Sequence, residues 1–155
     1  MEELLACALL YQAGLFPAGP YRETLDFLFR DDPEDPLLLE LEWTAKDMEA
    51  SVSLLQDAYA RRMEGFSPDR FGRMLMEGLR VIFEEEGMDL REFGRRAYRL
   101  WQLLPGPLQK QQPFWSLSYA DDPMSWGDET QSRELYRDML AFYQRKTALS
   151  SDHLG

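Results

Sequence analysis

The 155-residue chain has one cysteine, Cys7, and one histidine, His153. A single thiol excludes a disulfide framework, and the pair excludes zinc-finger spacings and any Cys/His metal cluster. One histidine leaves little material for a His-dependent triad. β-Branched residues are scarce: Val, Ile and Thr together occur seven times, against 25 leucines. That argues against a β-rich or α/β fold. No stretch approaches the ~20 apolar residues of a membrane span. Residues 4–11 are apolar, but they follow Glu2 and Glu3 and precede no cleavage pattern, so no targeting segment is read there. Positive charge is also short. Against 28 acids stand 17 bases, for a net charge of −11. Phosphate backbones and anionic lipid surfaces attract the opposite sign, so neither nucleic acid nor a membrane is expected as a partner. A cytoplasmic protein is the expected setting, which a single unpaired thiol suits.

What is present describes a globular helical protein. The chain is 45% hydrophobic and 29% charged, which is the balance of a folded domain and not of a disordered one. Its length suits one domain with a core of its own. The negative charge is unevenly spread. Residues 1–60 carry a net of −10, residues 61–112 a net of +2, and residues 113–155 a net of −3. The excess therefore lies at one end of the sequence, where it would attract a basic partner and speed encounter.

Helix signals recur along the chain. Glu2–Ala13 reads as a helix with Leu5, Ala8 and Leu9 on one side and Gly14 as its C-cap. Tyr21–Arg30 follows, with Pro20 near its first position. Asp31, Asp32, Glu34 and Asp35 punctuate the next loop. They lack the spacing and glycine of a calcium loop and read as capping residues, Asp35 before Pro36 above all. From Leu38 an apolar seam steps by three and four residues through Leu41, Ala45, Met48, Val52, Leu55 and Tyr59. Its unbroken phase predicts a continuous or merely kinked helix, although Thr44 and Asp47 resemble a capping box. Ser67-Pro68 opens the next helix, with Phe66 stapled onto Phe71, and Gly87 ends it. Asp89 caps a further helix to Leu104, with Glu92 completing the box. Arg70, Arg73, Arg80, Arg91, Arg95 and Arg99 on these two helices are expected to pair with the surplus carboxylates of residues 23–57.

Residues 108–127 break the helical pattern. This stretch sets Phe114, Trp115, Tyr119 and Trp126 beside Asp121 and Asp122, a composition suited to a partner that offers Arg or Lys. Phe114 and Trp115 either plug the end of the bundle or face solvent; both aspartates are expected to be exposed. Asp128–Lys146 reads as the last helix. The fold expected is all-α, a single irregular antiparallel bundle of about six helices over residues 1–146, with 147–155 as a flexible tail.

The sequence carries no glycine-rich phosphate loop, dinucleotide fingerprint or paired-histidine helix. Neither a cofactor, a metal nor an enzymatic activity is expected. A small, acidic, helical chain without catalytic apparatus resembles, in general character, bacterial immunity proteins, several of which are acidic helical proteins that neutralise basic nucleases by covering them. The resemblance implies a non-catalytic, stoichiometric protein binder, and no residue positions are carried over from it. The candidate contact surface read from this sequence is Asp31, Asp32, Glu34, Asp35, Glu40 and Glu42, with Trp115, Tyr119, Asp121, Asp122 and Trp126. The alternative is a helical scaffold or adaptor that self-associates through an exposed part of the Leu38–Tyr59 seam.

Overall fold

The computed structural model describes residues 1–61 and 65–154; the side chains of residues 149–154, His153 included, lie outside the description. Among the described residues there are ten α-helices and no strand. They are α1 (Glu2–Gln12), α2 (Gly19–Asp31), α3 (Pro36–Trp43), α4 (Met48–Arg61), α5 (Pro68–Glu85), α6 (Leu90–Leu103), α7 (Gly106–Gln109), α8 (Asp122–Ser125), α9 (Glu129–Leu140) and α10 (Phe142–Leu154). A 3-10 turn, Phe114–Ser118, lies between α7 and α8. The all-α bundle holds, but the expected count of about six is too low. Two expected helices are each divided in two, and the 106–125 stretch adds two short ones.

The helix starts follow the residues that announce them. The Asp35 carboxylate accepts from the Leu37 amide at 2.9 Å and from the Leu38 amide at 3.4 Å, with Pro36 next in line. Ser67 Oγ accepts from the Arg70 amide at 3.1 Å, and the Phe66 ring lies 5.6 Å from that of Phe71. Asp89 accepts from the Glu92 amide at 3.3 Å. The second half of that expected box is absent, because Arg95 and Arg96 take the Glu92 carboxylate instead. Gly14 and Gly87, the expected helix ends, both have positive φ.

α1 occupies the centre. The sequence suggests one apolar side, yet Leu4, Leu5, Ala6, Ala8, Leu9 and Leu10 are all buried. A helix that is apolar all round needs neighbours all round. α2, α4, α5 and α6 supply them, with α5 the principal partner. Glu2 is also buried, and its carboxylate accepts from the Ser67 amide at 3.1 Å, joining the start of α1 to the start of α5.

The seam from Leu38 is broken where the capping residues lie. α3 ends at Trp43, and α4 starts at Met48. Thr44 and Ser51 clasp the corner: their hydroxyls are 2.8 Å apart, and Ser51 Oγ donates to the Thr44 carbonyl at 3.0 Å. Asp47 accepts from the Ala50 amide at 3.1 Å. Short side chains that bond to nearby backbone compete with the helical ladder, which is why the helix stops here. The phase survives the corner, and Leu38, Leu41, Val52, Leu55 and Tyr59 are all buried.

The expected last helix also divides, at Ala141, with neither proline nor glycine to mark it. α10 continues to Leu154, through most of the segment expected as a tail. Near its start, Tyr143 reaches back to α5, where a Cβ added to Gly72 would overlap the Tyr143 hydroxyl and ring and press on Phe114. Arg73 lies over the same ring, 5.2 Å from its centroid. Gly72→Ala should therefore destabilise the protein by about 1–3 kcal/mol, the usual range for overpacking. Urea melts should show the loss, and the double variant with Tyr143→Leu should recover part of it.

Candidate functional site

The sequence-derived contact residues fall into two groups with different helical neighbours. The first lies on α2, α3 and the loop between them. Asp31, Asp32, Glu34 and Glu40 are exposed there, while Asp35 and Glu42 are half-buried. α2 and α3 pack on each other, α2 also on α1, and α3 on α4. The second group lies on the 3-10 turn and α8, which pack on α6, α7 and α9.

Within the first group carboxylates far outnumber cations. Residues 23–57 hold eleven acids and two bases. Among the described residues, none of those acids lies within 4.0 Å of a cationic group. Of the six arginines expected to neutralise them, Arg73, Arg80, Arg91 and Arg95 are engaged elsewhere, and Arg70 and Arg99 form no ion pair among the described residues. Arg80 pairs with Glu77 at 2.6 Å and with Glu84 at 2.9 Å. Arg95 and Arg96 share Glu92, and Arg73 and Lys146 share Asp69 at 2.8 Å each. Arg91 reaches Glu129 at 3.6 Å. Most of these partners lie three or four residues away on the same helix, the separation that brings helical side chains together. The expected pairing with residues 23–57 is overturned by that proximity. Two side chains that the sequence reading passed over also project here: Phe27, 72% exposed, and Trp43, 88% exposed.

The second group divides between core and surface. Phe114 and Leu117 are buried and close the end of the bundle, whereas Trp115 is 51% exposed and Trp126 is 66% exposed. A five-residue 3-10 turn explains the split, since it points successive side chains in different directions. Tyr119 is half-buried, with its hydroxyl 3.3 Å from Ser116 Oγ. Asp122 is exposed, as expected, but Asp121 is half-buried. One Asp121 carboxyl oxygen and the Tyr136 hydroxyl are buried without hydrogen-bond partners. Both are held against Gly94, where an added Cβ would stand 3.0 Å from Asp121 Cβ and 3.2 Å from the Tyr136 hydroxyl. Burial, followed by the nearby charges of Asp121 and Asp122, pushes the Tyr136 phenol well above its usual range. Burial is also the leading cause that raises Asp121, with the Asp122 charge adding to it. Asp121 is thus part of the support beneath the surface, and Asp122 is the carboxylate on it.

No set of three or more His, Cys, Asp or Glu side chains converges as a metal site among the described residues. A cavity of about 120 Å³ opens between α1 and α4, lined mainly by Leu5, Leu55, Ala58, Tyr59 and Phe66. No described helix is long and apolar enough to cross a membrane. Comparison with protein-family models, with curated proteins and with solved structures found no match.

The Asp121 geometry makes a pH prediction. Its carboxyl titrates higher when folded than when unfolded, so its contribution to stability is full below the unfolded titration and is lost as pH rises through the folded one. Asp121→Asn should raise Tm at pH 7. The gain should fade as pH falls and vanish below about 3, where the native aspartate is protonated in both states. Thermal melts across that range measure it; an equal effect at every pH would rule out charge burial as the cause.

Proposed function

We propose that this protein is a non-catalytic, stoichiometric binder of a basic protein, and that its biological form is an immunity-type neutraliser of a basic toxin in the cytoplasm. The observation that carries this reading is the set of eleven carboxylates over residues 23–57 with no cationic partner among the described residues. An excess of like charge costs folding free energy, and a partner of opposite sign relieves that cost. The first contact is electrostatic, with Asp31, Asp32, Glu34, Glu40 and Glu42 raising the encounter rate. Exposed aromatic side chains then fix the complex, because tryptophan contributes large contact area at small entropic cost. Trp115, Trp126 and Asp122 extend the contact on a broad partner.

The scaffold alternative draws less support. The Leu38–Tyr59 seam that would self-associate is turned inward, with Leu38, Leu41, Val52, Leu55 and Tyr59 in the core.

Co-expression with the products of the genes flanking its own tests the proposal. One of those products should be basic, toxic alone and tolerated in the presence of this protein, with a 1:1 complex on isolation. The association rate of that complex should fall steeply between 50 and about 300 mM salt. Reversing Asp31, Asp32 and Glu34 to lysine should slow association about tenfold or more at low salt. A salt-independent rate would contradict the mechanism.

A further inference from the structure

The α3 surface carries two exposed apolar side chains. Leu39 and Trp43 stand one helical turn apart, 39% and 88% exposed, with Glu40 exposed between them. None of the aromatic ring pairs among the described residues includes Trp43, and the cation–π contact recorded there belongs to Arg73 and Tyr143. An indole left in water on an ordered helix is an unfilled contact surface.

Its electrostatic surroundings select the occupant. Trp43 is the last residue of α3, whose carbonyl end carries partial negative charge, and no basic residue lies in that last turn. Glu40 and Glu42 flank it on the same helix, and neither is paired with a cation among the described residues. A neutral apolar segment would meet uncompensated carboxylates here, and an acidic one would be repelled. A cation is attracted to the indole face, to the carboxylates and to the helix end alike. Arginine fits this combination better than lysine. Its flat guanidinium stacks on an indole while its edge donates two parallel hydrogen bonds to a carboxylate.

We propose that the Leu39–Trp43 surface of α3 docks an arginine-bearing segment of the basic protein partner, with the Trp43 indole as its anchor. This rests on the function proposed above and adds to it the partner's chemistry and the residue that recognises it.

The test uses the full chain and two fluorescent peptides, nona-arginine and nona-lysine, with binding read by anisotropy at 20 and 200 mM NaCl. The wild type should bind nona-arginine severalfold more tightly than nona-lysine, and both should weaken with salt. Trp43→Ala should weaken nona-arginine binding about fivefold or more and remove the preference over nona-lysine, with the salt dependence kept. Tyr98→Ala, at an exposed aromatic on α6 outside the proposed contact surface, should bind as the wild type does. The triple variant Asp31→Asn, Asp32→Asn, Glu34→Gln should lose affinity for both peptides. An unchanged Trp43→Ala beside a weakened triple variant would overturn the anchor and leave the broader function standing. Equal losses from Trp43→Ala and Tyr98→Ala would also overturn it. No salt-dependent binding of either peptide by the wild type would overturn the anchor and the proposed function together.

Discussion

The burial of α1 on nearly every side, with Glu3 as its one exposed residue, is the constraint from which the rest of the structure follows. Leu4, Leu5, Leu9 and Leu10 point in different directions around that helix, and each is almost wholly removed from water. At about 25 cal/mol per Å2 of apolar surface, such a helix is stable only when neighbours enclose it. α2 and α4 pack on it, as do α5 and α6. Removing one of those leucines would leave a cavity shared by several helices, where truncation to alanine typically costs 2–5 kcal/mol. The surrounding helices are amphipathic because each has one face committed to the centre and another left to solvent.

That division places the charge. The strongly amphipathic α5 and α6 carry their arginines outward, together with their own glutamates and aspartates, and the pairs form along each helix. α2, α3 and the loop between them carry eight acids and two bases, and none of those acids is ion-paired among the described residues. Exposed ion pairs add little to stability, and their absence from α2 and α3 costs little fold energy. It does leave a concentrated negative potential, and with it the unburied indole of Trp43. The polar atoms buried beneath α8 are a different matter. Asp121 and Tyr136 both pack close to Gly94 without hydrogen-bond partners among the described residues, a local cost to stability beneath the Trp126 surface.

Much of the fold was legible because its signals are local. Asp35-Pro36, Ser67-Pro68 and Asp89 start helices through contacts two or three residues long, and the leucine periodicity marks which faces turn inward. The corner at Thr44–Asp47 was half-legible. Its capping residues are visible, but a single corner turn leaves the apolar phase intact, and phase was the stronger signal. The division at Ala141 has no local cause, since the approach of Tyr143 to Gly72 belongs to tertiary packing. The candidate site was legible in its charge and not in its geometry. Composition identifies the acids of 31–42, yet burial alone separates Asp121 from Asp122 and Phe114 from Trp115. The exposure of Trp43 is not legible in the sequence, because it sits within an apolar run and exposure at the end of a helix depends on what the neighbouring elements leave uncovered.

Repulsion among the carboxylates of residues 23–57, which have no ion-pair partner among the described residues, acts throughout the free protein. Its most direct measurement is Tm at pH 7 in 10 and in 300 mM NaCl, for the wild type and for the Asp31→Asn, Asp32→Asn, Glu34→Gln variant. Screening over a Debye length of about 10 Å or less should raise the wild-type Tm, while the variant should start higher and rise less. A wild-type Tm that is indifferent to salt, or that falls with it, would contradict the account.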